Sequence, residues 1–172
     1  MSVLRIAVVI AWVGVGAAFC QTIERQIPDS CAVTKPTVAR FTPPKSYRRP
    51  EAWGDSGIWY GTSRLWTRLP PDGHWRTSER FLPTSVFREK LFWWSEGYDP
   101  SREPKPKLIV TAEQLDGTHG KLELDDATNA IRADIPAMLV LIDVPTAGCW
   151  KITGRYAGAE LTYVVWVGPG LQ

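Results

Sequence analysis

A chain of 172 residues with 44% apolar and 22% charged residues is long enough to build a hydrophobic core of its own, and its composition excludes disorder as the default state. A formal charge of +2 is not the basic footprint that nucleic-acid binding leaves on a sequence. Tryptophan is the departure from ordinary composition, with nine copies of which all but Trp12 lie beyond residue 20.

Residues 1–20, MSVLRIAVVIAWVGVGAAFC, carry one positive charge at Arg5, an apolar stretch from Ile6 and a small-residue end. This is the layout of a secretory signal peptide. The apolar run ends at Phe19, short of the roughly 20 residues that a spanning helix needs. Cleavage after Ala18 or after Cys20 gives a secreted or periplasmic protein. In the alternative, Cys20 carries a lipid and the product is a membrane-anchored lipoprotein. The leader or that lipid is then the only expected contact with a membrane. Cysteine parity follows the same logic, because Cys20, Cys31 and Cys149 are an odd number for an oxidising compartment. With Cys20 removed or lipidated, Cys31 and Cys149 remain as a pair for one disulfide. The other reading is a metal held by Cys31, Cys149, His74 and His119, although none of these has the spacing of a ligand knuckle.

Residues 21–56 form an arm in which Pro28, Pro36, Pro43, Pro44 and Pro50 exclude a helix. Its basic run at Lys45, Arg48 and Arg49 reads as a solvated linker or as a contact for acidic partners. Residues 57–168 change character to short apolar and β-branched runs separated by turn residues. Strands are predicted at Ile58–Leu69, Val86–Trp94, Lys107–Leu115, Lys121–Leu124, Ala130–Ile135, Met138–Val144, Cys149–Tyr156 and Glu160–Val167, with turns at Pro70–Gly73, Asp116–Gly120 and Ala157–Gly158. Outside the leader only Ala127–Ala133 has the makings of a helical turn. The expected class is all-β: an antiparallel β-sandwich of seven to eight short strands, with a small barrel second.

Several stretches form an ordered set: CAVTKP at Cys31–Pro36, SRLWTRLPPDG at Ser63–Gly73, KLFWW at Lys90–Trp94, KLIVTAEQLDG at Lys107–Gly117, RADIP at Arg132–Pro136, GCWKITG at Gly148–Gly154 and ELTYVVWV at Glu160–Val167. Together they resemble a family of uncharacterised bacterial proteins, secreted or lipid-anchored, that pair an N-terminal Cys-x-Val-Thr-x-Pro motif with a C-terminal Gly-Cys-Trp-x-(Val/Ile)-Thr-Gly motif. The resemblance covers most of the mature chain, which differs in a shorter stretch between RADIP and GCW. It implies a Cys31–Cys149 disulfide and an immunoglobulin-like sandwich, and implies no activity.

Catalytic patterns are sparse. No Gly-x-Ser-x-Gly elbow occurs, and His74 and His119 follow turns, where they read as solvated surface. Carboxylates for glycoside chemistry are available at Asp125, Asp126, Asp134 and Asp143, or at Glu96 and Asp99, but spacing pairs none of them. Asp125–Asn129, DDATN, offers oxygens without the alternating ligand loop of a calcium site. Phosphate loops and dinucleotide fingerprints are absent. No catalytic residue, metal or cofactor is therefore expected.

LFWWSEGYDP at Leu91–Pro100 is the more informative cluster. Neighbours on a strand point to opposite faces, so Trp93 and Trp94 cannot both enter one core. An exposed tryptophan with Tyr98, Glu96 and Asp99 would stack on a sugar ring or anchor a protein partner. In the competing reading, the arm or the Pro104–Lys107 loop covers these rings. Ile58–Gly61 with Trp53 and Trp66 admits the same two readings. In the closing hairpin Trp150, Ile152 and Tyr156 share one face, whereas Cys149, Lys151, Thr153 and Arg155 share the other, which places Cys149 to hold the arm, with Trp166 beneath it. The expectation is an exported, non-enzymatic module that binds a protein or glycan partner at the bacterial cell envelope or outside. The alternatives are a carbohydrate-directed envelope enzyme using acids near Trp93 and Trp94, and a purely structural envelope protein. Nothing in the pattern sets the oligomeric state.

Overall fold

Alternation governs the clearest strand, where Met138, Val140, Ile142 and Val144 are wholly buried and the intervening Leu141 and Asp143 face solvent. The structure is a computed structural model that describes residues 27–35, 41–44, 57–77, 87–117, 120–130 and 136–169. Its strands are β1 (Ile58–Thr62), β2 (Leu65–Leu69), β3 (His74–Thr77), β4 (Phe87–Trp94), β5 (Ile109–Gln114), β6 (Leu122–Leu124), β7 (Thr128–Asn129), β8 (Met138–Val144), β9 (Gly148–Tyr156) and β10 (Ala159–Pro169). No helix forms among the described residues. One sheet has the order β1-β2-β4-β8-β7 and the other β3-β10-β9-β5-β6. The two sheets pack face to face as a β-sandwich, the class expected from the turn spacing.

Departures from the expected strands have local causes. Ile58–Leu69 folds back on itself as the β1-β2 hairpin, with Ile58 opposite Leu69 and Thr62 opposite Leu65. Gly61 enables the close approach, at φ 131° and with Leu65 O only 2.4 Å from where a Cβ would stand. β3 was not expected, because four residues after a turn carry too little alternation to signal a strand. It runs parallel to β10, Trp166 opposite His74 and Val167 opposite Trp75, so the sandwich is not wholly antiparallel. Ala127–Ala133 begins as the short β7 rather than a helical turn. Most of the strand expected at Ala130–Ile135 lies outside the described residues, as do the leader with Cys20, the run Lys45, Arg48 and Arg49, Trp53 and His119.

The core lies between the sheets and is built around Trp93, Trp150 and Tyr163. Trp93 reaches across from β4 onto Gly154 of β9, where an added Cβ would stand 2.6 Å from the indole. A large side chain on one sheet thus fits a missing one on the other. The Ala157-Gly158 turn closes β9 onto β10 with φ of 47° and 74°, the paired positive values that two-residue hairpins favour.

The arm is fastened at one end. Cys31 and Cys149 form a disulfide, and with both sulfurs in that bond neither is a thiolate ligand for a metal. Beyond it, the Thr34 amide donates to Val164 O, and the Val164 amide donates to the Thr34 hydroxyl. These bonds continue the edge of β10 next to the point where the Trp166 amide donates to Gly73 O. Gly73 admits the arm because a Cβ there would lie 2.7 Å from Val33 Cβ.

Candidate functional site

The aromatic cluster at the end of β4 is distributed over separate environments instead of forming one surface. Trp93 is fully buried between the sheets, Trp94 is 6% exposed and Tyr98 3% exposed. Alternation separates the two tryptophans as expected. Trp94 lies on the outer face of its sheet with Trp66 and Ala137, flanked by Phe41, Trp59 and Phe92. Its ring meets Trp59 edge-on at 5.0 Å and stacks with Phe92 at 6.2 Å. Phe41, from the arm, lies 5.3 Å from Trp66 and helps to cover this face, as the competing reading of the cluster supposed. Tyr98 turns inward, edge-on to Tyr156 at 6.1 Å. Its hydroxyl is pushed up to about 12 by burial, reinforced by the charges of Glu103 and Asp99. Glu96 is exposed. Asp99 accepts from the Ser101 hydroxyl and amide. Those bonds, with Arg102 nearby, hold its carboxyl below the usual range. The acids of the carbohydrate reading are similarly dispersed: Asp143 is bonded to Arg88 at 2.6 Å, and Asp125 and Asp126 are exposed, while Asp134 lies outside the described residues.

An open groove lies elsewhere, where β2 and β4 separate. The β2-β4 ladder holds only Trp66 opposite Trp94 and Thr67 opposite Trp93. By contrast β4 pairs with β8 from Phe87 opposite Val144 to Trp93 opposite Met138. The gap has a volume of about 590 Å³, and Leu69, Trp75, Glu89, Leu91, Phe92 and Trp94 are among its walls. A cavity of this size is within the roughly 300–1,000 Å³ of small-ligand sites.

Backbone direction can be read from one bond. The Thr67 hydroxyl on β2 donates to Phe92 O on β4 at 2.8 Å, so Phe92 turns its carbonyl toward β2. Since peptide groups alternate along a strand, Lys90 and Arg88 also turn their N–H and C=O toward β2, whereas Glu89 and Leu91 turn theirs to β8. Among the described residues no strand pairs with Arg88 or Lys90 on that side.

Side chains give the groove its charge pattern. Glu89 belongs to the inward-facing series of β4 with Phe87, Leu91 and Trp93, yet it is a carboxylate. Burial pushes its pKa up, partly offset by the Lys90 amide, and no described cation forms an ion pair with it. Burial pushes the Tyr163 hydroxyl up, and the charge of Glu89 adds to that. Among the neighbouring charges, Arg76, Asp72 and Arg68 are engaged. Arg76 is paired with Asp72. Burial works upward on Asp72, but Arg76 and the His74 amide outweigh it and hold the carboxyl below its ordinary value. Arg68 donates to Gly57 O at 3.0 Å and lies 5.0 Å over the Trp59 ring. His74, expected as solvated surface, is 8% exposed and opens β3, the edge strand of the second sheet, opposite Trp166 of β10.

Sequence reasoning missed this groove because it draws on β2, the unexpected β3 and β4 together. The one local signal was the glutamate in FREKLFWW, at an inward position of an otherwise apolar series. Among the described residues no group of three His, Cys, Asp or Glu side chains converges on a metal-sized site. Comparison with protein-family models, with curated proteins and with solved structures finds no match to this chain.

Proposed function

We propose that this protein is an exported, non-enzymatic β-sandwich that binds a partner at the bacterial cell envelope or outside the cell, and that the β2-β4 groove is its binding site. The observation that carries the reading is the groove itself, a gap of about 590 Å³ with aromatic walls and a half-buried carboxylate. Export is supported by the leader pattern of residues 1–20 and by the Cys31–Cys149 disulfide, which belongs to an oxidising compartment. The resemblance to secreted or lipid-anchored bacterial proteins points the same way, and lipid on Cys20 is the alternative to free release. An immunoglobulin-like arrangement is supported by β3, which crosses to the second sheet and runs parallel beside the last strand, β10.

A fragment screen by amide NMR tests the binding site. The reading expects hits to cluster on Arg68, Leu69, Trp75 and Lys90; hits confined to other faces, or none, would contradict it. Cell fractionation with N-terminal sequencing of the mature chain tests export, for which a cytoplasmic chain that keeps Met1 would be the contrary result.

A further inference from the structure

The groove has two properties that together define a ligand. Its β4 wall is a strand edge that no described strand pairs with at Arg88 and Lys90. Its inner wall carries Glu89, a carboxylate without a described counter-ion beside the apolar Leu69, Trp75 and Leu91. An open edge recognises extended peptide backbone, because the bonds it offers are those of a sheet ladder. A half-buried carboxylate offset by the neighbouring Lys90 amide and by no described cation recognises a cation. Resting on the binding-site reading above, we propose that the groove accepts an extended peptide segment of a partner protein that carries a lysine or arginine. Its backbone adds to β4 at Arg88 and Lys90, and its basic side chain pairs with Glu89.

Alternation sets the rest of the specificity. A strand laid along β4 points every second side chain inward, and the residue opposite Glu89 is its cross-strand neighbour. A lysine or arginine there lays its methylene stem against Leu91 and Trp75 while its charge meets the carboxylate. The adjacent residues point outward beside Arg88 and Lys90, with Phe92 the next outward residue along β4. Polar contact with the ladder fixes direction and register, and the ion pair selects the basic residue.

The test uses the mature chain labelled with ¹⁵N and three acetylated, amidated peptides of sequence Thr-Val-X-Val-Thr, with arginine, norleucine or glutamate at X. The arginine peptide is expected to shift the amides of Arg88 and Lys90. The norleucine peptide should bind at least about tenfold more weakly, a difference of roughly 1.4 kcal/mol, and the glutamate peptide not at all. Glu89→Gln, a near-isosteric change that leaves the strand pattern intact, should reduce arginine-peptide affinity by a similar factor while leaving norleucine-peptide affinity unchanged. Equal binding of the arginine and norleucine peptides, undiminished affinity of Glu89→Gln, or shifts away from β4 would each overturn the proposal. A chitosan oligomer that shifts the groove amides when no peptide does would also overturn it, while leaving the groove as the binding site. Absence of any fragment or peptide from the groove would sink both readings.

Discussion

At the scale of single residues, Tyr98 after β4 and Tyr156 at the end of β9, edge-on to each other, separate an unbonded hydroxyl from a bonded one. The Tyr98 hydroxyl is buried with no hydrogen-bond partner among the described residues, whereas the Tyr156 hydroxyl donates to Glu103 at 2.5 Å. Tyr98→Phe should therefore leave the urea midpoint unchanged or raise it, because an unsatisfied buried polar group is removed without loss of ring packing. Tyr156→Phe should lower stability by about 1–2 kcal/mol, since it removes a hydrogen bond to a charged acceptor. Trp93 and Gly154 make a second residue pair. Gly154→Ala places a Cβ 2.6 Å from the indole and should cost about 1–3 kcal/mol as overpacking, measured by urea denaturation. Alternation alone assigned Trp93 and Trp94 to opposite faces. It could not say that both faces are covered, because the cover over Trp66 comes from Phe41 of the arm, far away in sequence.

At the scale of elements, the arm is held by a covalent staple and by a short extension of β10. The disulfide closes a separation of 118 residues, for which chain entropy gives an upper figure of roughly 4–5 kcal/mol. Replacing Cys31 and Cys149 together by serine should lower the melting temperature. It should also speed hydrogen exchange at the Thr34 and Val164 amides, while the Ile152 amide in the middle of β9 keeps its protection. Equal acceleration at all three positions would mean that the staple supports the whole sandwich rather than the arm. The long strands were readable because β4, β8, β9 and β10 carry apolar alternation over seven or more residues. β3 was not, because its identity depends on a parallel partner, β10, near the other end of the chain. The groove was missed for the same reason: it is a failure of β2 and β4 to stay paired, and pairing is not written in either strand alone.

For the whole molecule, pH links the core to the groove. Burial raises the pKa of Tyr98, Tyr156 and Tyr163 above the ordinary 10. The folded state favours their neutral forms, so this stability is fully present below about pH 10 and is lost as pH rises toward 12. Alkaline unfolding, followed by near-ultraviolet circular dichroism, should begin in that window. Glu89 also has a raised pKa, so its contribution is complete below the ordinary 4.5 and is lost as pH rises through its folded value. Around it stand Tyr163 on β10, Arg68 on β2, Lys90 on β4 and His74 on β3, with Asp72 and Arg76 engaged with each other. Glu89→Gln should accordingly melt higher than the parent chain at pH 7, with the difference vanishing near pH 3. A carboxylate at a position that a neutral residue would stabilise fits the recognition role proposed above.

The binding account depends on the cleft between β2 and β4 being open, and amide hydrogen exchange along β4 reads that directly. Glu89 and Leu91 direct their amides to β8, whereas Arg88 and Lys90 direct theirs into the cleft. The expected result is slow exchange at Glu89 and Leu91, far faster exchange at Arg88, and an intermediate rate at Lys90, whose amide faces the Glu89 carboxylate. Equal protection at all four amides would show the edge already occupied and would contradict the groove as a binding site.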